Sequence, residues 1–478
     1  MYKIEDILNK IHCADCIKFM REMPDNSIDT VITDPPYFLG FMGKKWDTPD
    51  KKQQGMYEFN FNWAKEALRV AKPGATLLCF GGTRTWHRLA CALEDAGWII
   101  KDTIMWIYGS GFPKSYNIPK GIDAKLRIGK CNPKGINKSE LCKKTGKKVI
   151  RLQPNNGILG EKKEVLKKEN TELITPEAKF WNGYGTALKP AYEPIIMAMK
   201  PNEGSYAENA LKWGVSGLNI DEARIPCNQK ANPHKQRNSG TLAGGGRTEE
   251  EKYGKSKFPE GKYSIDTPVG KIRSELRTAD KNPNSRFPAN IIFDTEAARE
   301  LDRQSGVRKG WSSQKHNSFN PYGGNALQKS NTKRSGYYEG FNDTGGASRF
   351  FYVAKANRAE RNMGCENMEE KIDCDRNPKL NSANVPMNRS NNPKQNIHPT
   401  VKPLKLMEYL CILTRTPTGG IILDPFAGSG TTCMAAKKIG RDFIGIEREA
   451  DYCAIARARI KAIKPNLTLF ENENNRRT

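Results

Sequence analysis

Ile421-Ile422-Leu423-Asp424-Pro425-Phe426-Ala427-Gly428-Ser429-Gly430-Thr431-Thr432 is an apolar run that enters a Gly-rich turn and continues into a helical stretch, Cys433 to Ile439. The apolar triplet reads as a buried parallel strand, and glycines at 428 and 430 let the backbone approach a ligand over the carboxyl edge of such a sheet. The helix that follows would aim its partly positive N-terminus at a negative group there. Downstream, Asp442-Phe443-Ile444-Gly445-Ile446-Glu447 reads as a second short strand, ending in an acid 19 residues after Gly428. An acid at that point can accept from both hydroxyls of a ribose. A plain surface carboxylate is the alternative reading of Glu447, and a Gly-rich turn alone is a weak signal.

Near the other end of the chain, Asp34-Pro35-Pro36-Tyr37 follows the apolar run Ile28 to Ile32, where another parallel strand would end. Two prolines fix φ twice and remove two N–H donors, so the carbonyls beside them can point at a ligand. An exocyclic amino group offers two hydrogens, one for the Asp34 carboxylate and one for the Pro35 carbonyl. Held that way, the nitrogen is drawn toward tetrahedral geometry and its lone pair is freed from the ring, while Tyr37 stacks on the base. Alone, the tetrapeptide reads equally as a Pro-Pro turn with Asp34 as its cap.

Together these segments resemble the amino-group DNA methyltransferases that use S-adenosylmethionine. The tetrapeptide Asp34, Pro35, Pro36 and Tyr37 resembles the catalytic motif of that family. Asp424, Phe426, Gly428, Ser429, Gly430 and Thr431 lie in the segment that resembles its cofactor loop. His398-Pro399-Thr400-Val401-Lys402-Pro403 is similar to the family segment that closes around the methionine part of the cofactor, implying roles for His398, Thr400 and Lys402. Asp15-Cys16 resembles the strand end that contacts the cofactor's adenine, and Glu447 takes the ribose position. With the catalytic motif first and the cofactor loop last, the order resembles the β-type arrangement. Matching segments cover residues 10 to 115, 180 to 225 and 395 to 463.

The resemblance implies an α/β fold: a circularly permuted, seven-stranded, Rossmann-like methyltransferase sheet flanked by helices, with large basic loop-rich inserts forming a DNA-recognition region. Permutation is tolerated because domain termini tend to lie at the surface and near one another. In methyltransferase order the strands are Gly420 to Asp424, Phe443 to Glu447, Leu8 to Cys13, Ile28 to Thr33, Ala75 to Phe80, Ile99 to Tyr108 and Glu193 to Met199. The last two are expected as an antiparallel pair at one edge. Helical faces fall at Trp63 to Val70 and Thr85 to Ala96. The expected division is a catalytic part over 1–113, a basic insert over 114–180, the end of the catalytic sheet over 181–225, a target-recognition region over 226–394, a cofactor part over 395–463 and a tail over 464–478.

The 478 residues carry a formal net charge of +25, which favours a polyanionic partner. Its distribution says more than its total. Residues 1–113 hold 14 Lys or Arg and 14 Asp or Glu, residues 114–180 hold 17 and 7, and residues 226–350 hold 22 and 13. A solvated basic face is the bland reading of any one run, such as Lys143-Lys144 or Lys147-Lys148. As a group, the inserts read as phosphate contacts to double-stranded DNA.

Residues 228–285 and 306–346 are rich in Gly, Ser and Asn, with Trp311, Tyr322, Tyr337 and Tyr338 interleaved. They read as loops suited to an opened DNA strand. Phe287 to Phe293 and Ser348 to Lys355 read as strands, and Thr295 to Gln304 as a helix. Tyr108 to Lys114 and Trp181 to Glu193 flank the first insert, where Tyr184 and Tyr192 read equally as base contacts or as packing. Lys44, Lys45 and Trp46 follow the tetrapeptide in a loop that could close over cofactor or DNA.

Cys13 and Cys16 have ligand-like spacing but no matching second pair, so no metal is expected. Twelve scattered cysteines and no apolar stretch near 18 residues point to a reduced, cytoplasmic, soluble protein. The expected reaction is site-specific methylation of the adenine N6 amino group in DNA, since the tetrapeptide begins with Asp, whereas cytosine-N4 members more often begin with Ser. Cytosine N4 is the alternative within the class. A nucleic-acid-binding protein that keeps the fold without turnover is the alternative outside it. The resemblance leaves room for a homodimer and for a cognate restriction enzyme as partners.

Overall fold

The apolar runs become the strands of one sheet because central parallel strands are covered on both faces and need continuous hydrophobic sequence. The structure, a computed structural model, describes residues 1–39, 47, 52–111, 115–129, 148–152, 162–166, 173–227, 285–309, 314–316, 336–338, 343–354, 358–371 and 395–465. Lys44, Lys45, Trp46, the Lys143-Lys144 pair, Lys147, the Gly-rich stretch 228–284, Trp311, Tyr322 and most of the tail lie outside the described residues. The chain divides into two units, Met1–Gly109 with Tyr192–Thr478, and Ser110–Ala191.

The sheet strands are β1 (Lys10–Cys13), β2 (Ile28–Thr33), β3 (Ala71–Phe80), β4 (Ile99–Ile107), β5 (Tyr192–Met199), β6 (Ile291–Asp294), β7 (Tyr352–Ala354), β8 (Ile422–Asp424) and β9 (Phe443–Glu447). Their spatial order is β1-β9-β8-β2-β3-β5-β4-β6-β7. All seven expected strands are present, and β6 and β7 bring the total to nine. One expectation is corrected. The antiparallel pair β4 and β5 is internal, because β4 also bonds β6 in parallel and β6 bonds β7. The apolar segments around Ile292 and Ala354, both fully buried, cover an edge of β4 that would otherwise expose unpaired N–H and C=O groups.

The first and last strands are neighbours. β1 pairs in parallel with β9, with Cys13 opposite Glu447, so the N-terminal strand continues the sheet where the C-terminal one leaves it. β8 pairs on one side with β9 and on the other with β2, and β5 alone runs against the rest. Chain reversal at β5 places its first residues at the edge where β3 and β4 end, with Tyr192 opposite Ile107 and Ile195 opposite Phe80.

Alternation along the strands feeds two cores. Val31, Leu77, Cys79, Leu423 and Ile444 point to one face, where they meet α2 (Lys52–Val70) and α3 (Trp86–Asp95) through Trp63, Ala67, Leu89 and Leu93. They are preceded by the short helix α1 (Cys16–Arg21). Ile32, Leu78, Phe80, Ile422 and Phe443 point to the other face, against α6 (Leu404–Leu413), α7 (Thr431–Lys438) and α8 (Ala450–Ala462). In sequence, α4 (Tyr206–Trp213) and α5 (Thr295–Ser305) come between α3 and α6, and α5 starts with the Asp294 side chain accepting from Ala297 N. Each large side chain so buried stabilises by about 1.5–3 kcal/mol.

The second unit is built on a helix over Ile118–Ile128, capped by Asn117, and a short helix over Pro176–Phe180, capped by Thr175. The buried Asp123 carboxylate joins them by accepting from Ile174 N at 3.2 Å and Thr175 N at 2.9 Å. A hairpin pairs Lys148–Leu152 with Lys162–Leu166.

Candidate active site at the carboxyl edge of the sheet

β2 and β8 lie side by side, and their ends carry the two sequence motifs. Thr33 Oγ1, the last residue of β2, donates to Asp424 Oδ1 at 2.7 Å, joining residues 391 apart in sequence. Asp424 also accepts from Phe426 N at 3.1 Å and is fully enclosed, and burial pushes its carboxyl up to about 6 despite the bonds from Thr432 and Thr33. Asp424 therefore anchors the two motifs to one another rather than reaching outward.

Beyond Thr33, Asp34 and Tyr37 enter a compact polar cluster. Tyr37 Oη donates to Asp34 Oδ1 at 2.7 Å and lies 3.1 Å from Glu193 Oε2. Lys402 Nζ lies 2.7 Å from Asp34 Oδ2, 3.1 Å from Glu193 Oε2 and 3.3 Å from Tyr37 Oη, which accounts for all three ammonium hydrogens. Tyr37 has one hydrogen, and it goes to the nearer Asp34 oxygen. Glu193 is then satisfied chiefly by Lys402. Burial, then the Asp34 and Glu193 charges, hold the Tyr37 hydroxyl well above its usual range. Tyr108, at the end of β4, is pushed up to about 12 by burial and by Glu193.

The geometry leaves Asp34 with spare capacity. A carboxylate offers about four acceptor positions, and Tyr37 and Lys402 take one each. Among the described residues none donates to the Pro35 carbonyl. Thr85 Oγ1 donates to the Tyr37 carbonyl at 2.9 Å, and Phe38 takes φ of 54° to turn the chain out of the motif. Its N–H donates to Asp47 Oδ1 at 2.6 Å.

The Gly-rich loop is shaped by what presses on it. Gly428 has φ of 51°, and a Cβ there would meet His398 Nε2 at 2.7 Å, so the His398 segment rests directly on the glycine. Gly430 has φ of 76°, and a Cβ would lie 2.9 Å from Ala456, so it lets α7 pack against α8. Gly428 N donates to Glu447 Oε2 at 2.9 Å, and Glu449 N donates to Glu447 Oε1 at 2.8 Å. Burial raises the Glu447 carboxyl against these bonds. A carboxylate so fixed, beside a loop that only glycine fits, suits a nucleoside with free ribose hydroxyls.

Several expected cofactor residues are turned toward protein. Ser429 and Thr431 accept from the fully buried Arg459: Nη1 lies 2.6 Å from Ser429 O, 2.9 Å from Ser429 Oγ and 3.0 Å from Thr431 Oγ1. Arg459 Nη2 also donates to Glu360 O at 3.1 Å. Phe426 packs its ring edge-on to Trp63 at 5.5 Å and beside Phe59 at 5.7 Å. The Cys16 thiol is buried in the core and pushed up to about 12, and Asp15 caps α1 by accepting from Lys18 N at 3.0 Å. His398 packs on Tyr452 at 4.6 Å, and burial and the Arg361 charge drive its imidazole down to about 3, which favours the neutral ring. Thr400 is exposed between His398 and Lys402.

Sequence reading missed Glu193 and Arg459. In the sequence, Glu193 marks only the start of a strand. The signal was available in the expected reversal of its strand, which puts an acid at the edge where Asp34 sits. Arg459 carried no signal, because an arginine in an amphipathic helix ordinarily faces water.

A family model described as DNA methylase matches residues 28–458, and the chain belongs to that family. Among curated relatives, the type II methyltransferase M2.DpnII of Streptococcus pneumoniae is 51% identical over 78 residues, 16% of this chain and 26% of that protein. The type II methyltransferase M.HinfI of Haemophilus influenzae is 48% identical over 69 residues, 14% of this chain and 19% of that protein. The matches thus span about a quarter and a fifth of the relatives' lengths. Among solved structures, the PvuII DNA methyltransferase (cytosine-N4-specific) aligns at a TM-score of 0.38 with 12% identity, covering 97% of this chain and 91% of that one. No helix of the described residues is long and apolar enough to cross a membrane.

Proposed function

We propose that this chain is a site-specific DNA methyltransferase that moves a methyl group from S-adenosylmethionine to the N6 amino group of an adenine flipped out of double-stranded DNA. The observation that carries it is the Thr33–Asp424 bond of 2.7 Å, which ties the amino-holding turn to the nucleoside-suited loop at one point of the sheet. Such a junction, where the winding order reverses, is where open α/β sheets bind ligands.

S-adenosylmethionine supplies an electrophilic sulfonium methyl when bound. Glu447, the backbone at Gly428 and the His398 to Lys402 segment would hold it, with Asp15 at the adenine end. Asp34 accepts one amino hydrogen of the flipped base through its remaining lone pairs, the Pro35 carbonyl accepts the other, and Tyr37 lies on the face of the ring. The nitrogen lone pair would form the new N–C bond as the sulfonium S–C bond breaks with its electron pair left on sulfur, and the surplus proton of the methylated nitrogen would then pass to water. Positioning and hydrogen bonding supply most of the acceleration.

The adenine assignment is supported by Asp34 at the first position of the tetrapeptide. Residues 114–180 and 226–350, with their surplus of Lys and Arg, would grip the phosphates. A homodimer, a restriction partner and cytoplasmic location remain parts of the proposal. Incubating the chain with labelled S-adenosylmethionine and duplex DNA, then analysing nucleosides by mass, tests it. N6-methyladenine is the expected product. N4-methylcytosine would overturn the choice of base, and no transfer at all would leave a binding protein on a methyltransferase fold.

A further inference from the structure

Residues 180–188 of the second unit expose four large apolar side chains: Phe180 at 83%, Trp181 at 40%, Tyr184 at 59% and Leu188 at 92%. One exposed apolar residue is ordinary, but four within nine positions form a patch of the kind that marks an interaction site. Phe180 and Trp181 stand edge to face at 6.5 Å, and Trp181 and Tyr184 at 5.1 Å.

The turn that carries them is braced by its own unit. Trp181 N donates to Glu177 O at 3.2 Å, Tyr184 N to Trp181 O at 3.2 Å, and Ile118 N to Tyr184 O at 3.4 Å. Ser115 Oγ accepts from Thr186 N at 2.9 Å and Ala187 N at 3.2 Å, while Tyr116 N donates to Thr186 Oγ1 at 3.0 Å. Gly183, with φ of 91°, makes the reversal between the two rings. A braced turn presents its rings without a large ordering cost on binding.

Charge selects the occupant. Among the unit's residues with described side chains, the basic Lys120, Lys125, Arg127, Lys179 and Lys189 outnumber the acidic Asp123 and Glu177, and Lys179 and Lys189 flank the rings in sequence. An apolar protein face would use the rings and leave the positive surplus unmatched. An opened DNA strand uses both, because every base has a π-face to stack and every nucleotide a phosphate.

We propose that Trp181 and Tyr184, with Phe180 beside them, form a stacking platform for unpaired nucleobases of DNA. This rests on the proposed function in taking DNA as the substrate.

The test uses the full chain and a short single-stranded DNA oligonucleotide of mixed sequence, with affinity read by fluorescence anisotropy at fixed salt. Trp181→Ala and Tyr184→Ala should each weaken binding about tenfold, the double variant further still, while Trp181→Phe keeps most of the affinity. S-adenosylmethionine affinity, read by calorimetry on the same variants, should stay at the wild-type value, and unchanged circular dichroism and thermal unfolding report an intact fold of the unit that carries the rings. Wild-type affinity in the double variant overturns the platform. So does a wild-type dimer that the double variant dissolves with DNA affinity unchanged, since that assigns the patch to a second copy. Ring-dependent binding without methyl transfer to DNA would support the platform and defeat the proposed function.

Discussion

Lys402 Nζ lies 2.7 Å from Asp34 Oδ2 and 3.1 Å from Glu193 Oε2, so one ammonium joins the end of β2 to the start of the strand that runs against it. Burial acts to lower the Lys402 pKa, but the two carboxylates outweigh it and hold the group above its usual range. The ammonium form of Lys402 is thus favoured, and it balances one of two nearby negative charges. With the ammonium 11% exposed and each carboxylate 23%, the cluster is shielded well beyond an ordinary surface ion pair.

Asp34→Ala should abolish methyl transfer and leave S-adenosylmethionine affinity unchanged, because the proposed mechanism gives the amino group to Asp34 and the cofactor to the loop around Gly428. Asp34→Asn, which keeps one acceptor oxygen but loses the charge, should fall about 100-fold or more in turnover. Single-turnover assays with calorimetry on the same proteins check both. Near-normal turnover in either variant would sink the assignment.

Glu193→Gln removes one of the two anions that fix Lys402, and should lower turnover about 10- to 100-fold with little change in cofactor affinity. Lys402→Met should cost at least as much, since it leaves Asp34 and Glu193 facing one another uncompensated. Combined, the two changes should be markedly less than additive, as expected for groups in one network. Strict additivity would show that Glu193 acts independently of Lys402.

Asp424 makes stability depend on pH in a predictable direction. Its carboxyl is pushed from an ordinary 3.8 up to about 6, so the folded state favours the protonated form. Stability from this group is full below about pH 4, declines as pH rises to about 6, and is level above that. Asp424→Asn keeps acceptors for Thr33 and Phe426 without a charge. Relative to wild type its stability should therefore rise through that window, by up to about 3 kcal/mol. Urea unfolding of both proteins at several pH values reads the difference, and a difference that does not change with pH would refute the assignment.

Arg459→Met leaves the Ser429 and Thr431 oxygens without their buried donor. It should destabilise the fold by about 3 kcal/mol or more and weaken S-adenosylmethionine binding more than tenfold, because the loop loses the brace beneath it. Arg459→Lys should restore part of the stability but not the forked geometry. Denaturant unfolding and calorimetry check the two effects. A variant that loses stability yet binds cofactor normally would show that the loop holds its shape unaided.

The local chemistry was legible because it is local. The Asp34 to Tyr37 turn, the glycines at 428 and 430 and the strand runs each depend on residues within one element and its boundary, where propensity and period speak directly. The two segments around Ile292 and Ala354 were legible as strands, but not as members of the main sheet, since β pairing depends on which edge is free. Asp424, Ser429 and Thr431 sat in the right motif, yet their side chains turned to Thr33 and Arg459. Burial decides that, and burial is set by neighbours distant in sequence.

By itself the sequence determined the α/β class, the permuted order of the strands and the chemistry available at the ends of β2, β8 and β9. Only the tertiary structure decided that Thr33 meets Asp424, that Glu193 and Lys402 converge on Asp34, and that Arg459 lies beneath the Gly-rich loop. The physical reason is the same in each case. A residue's type and spacing set what it can bond, but the partner is chosen by strand register and direction, which emerge only when segments hundreds of residues apart pack into one sheet.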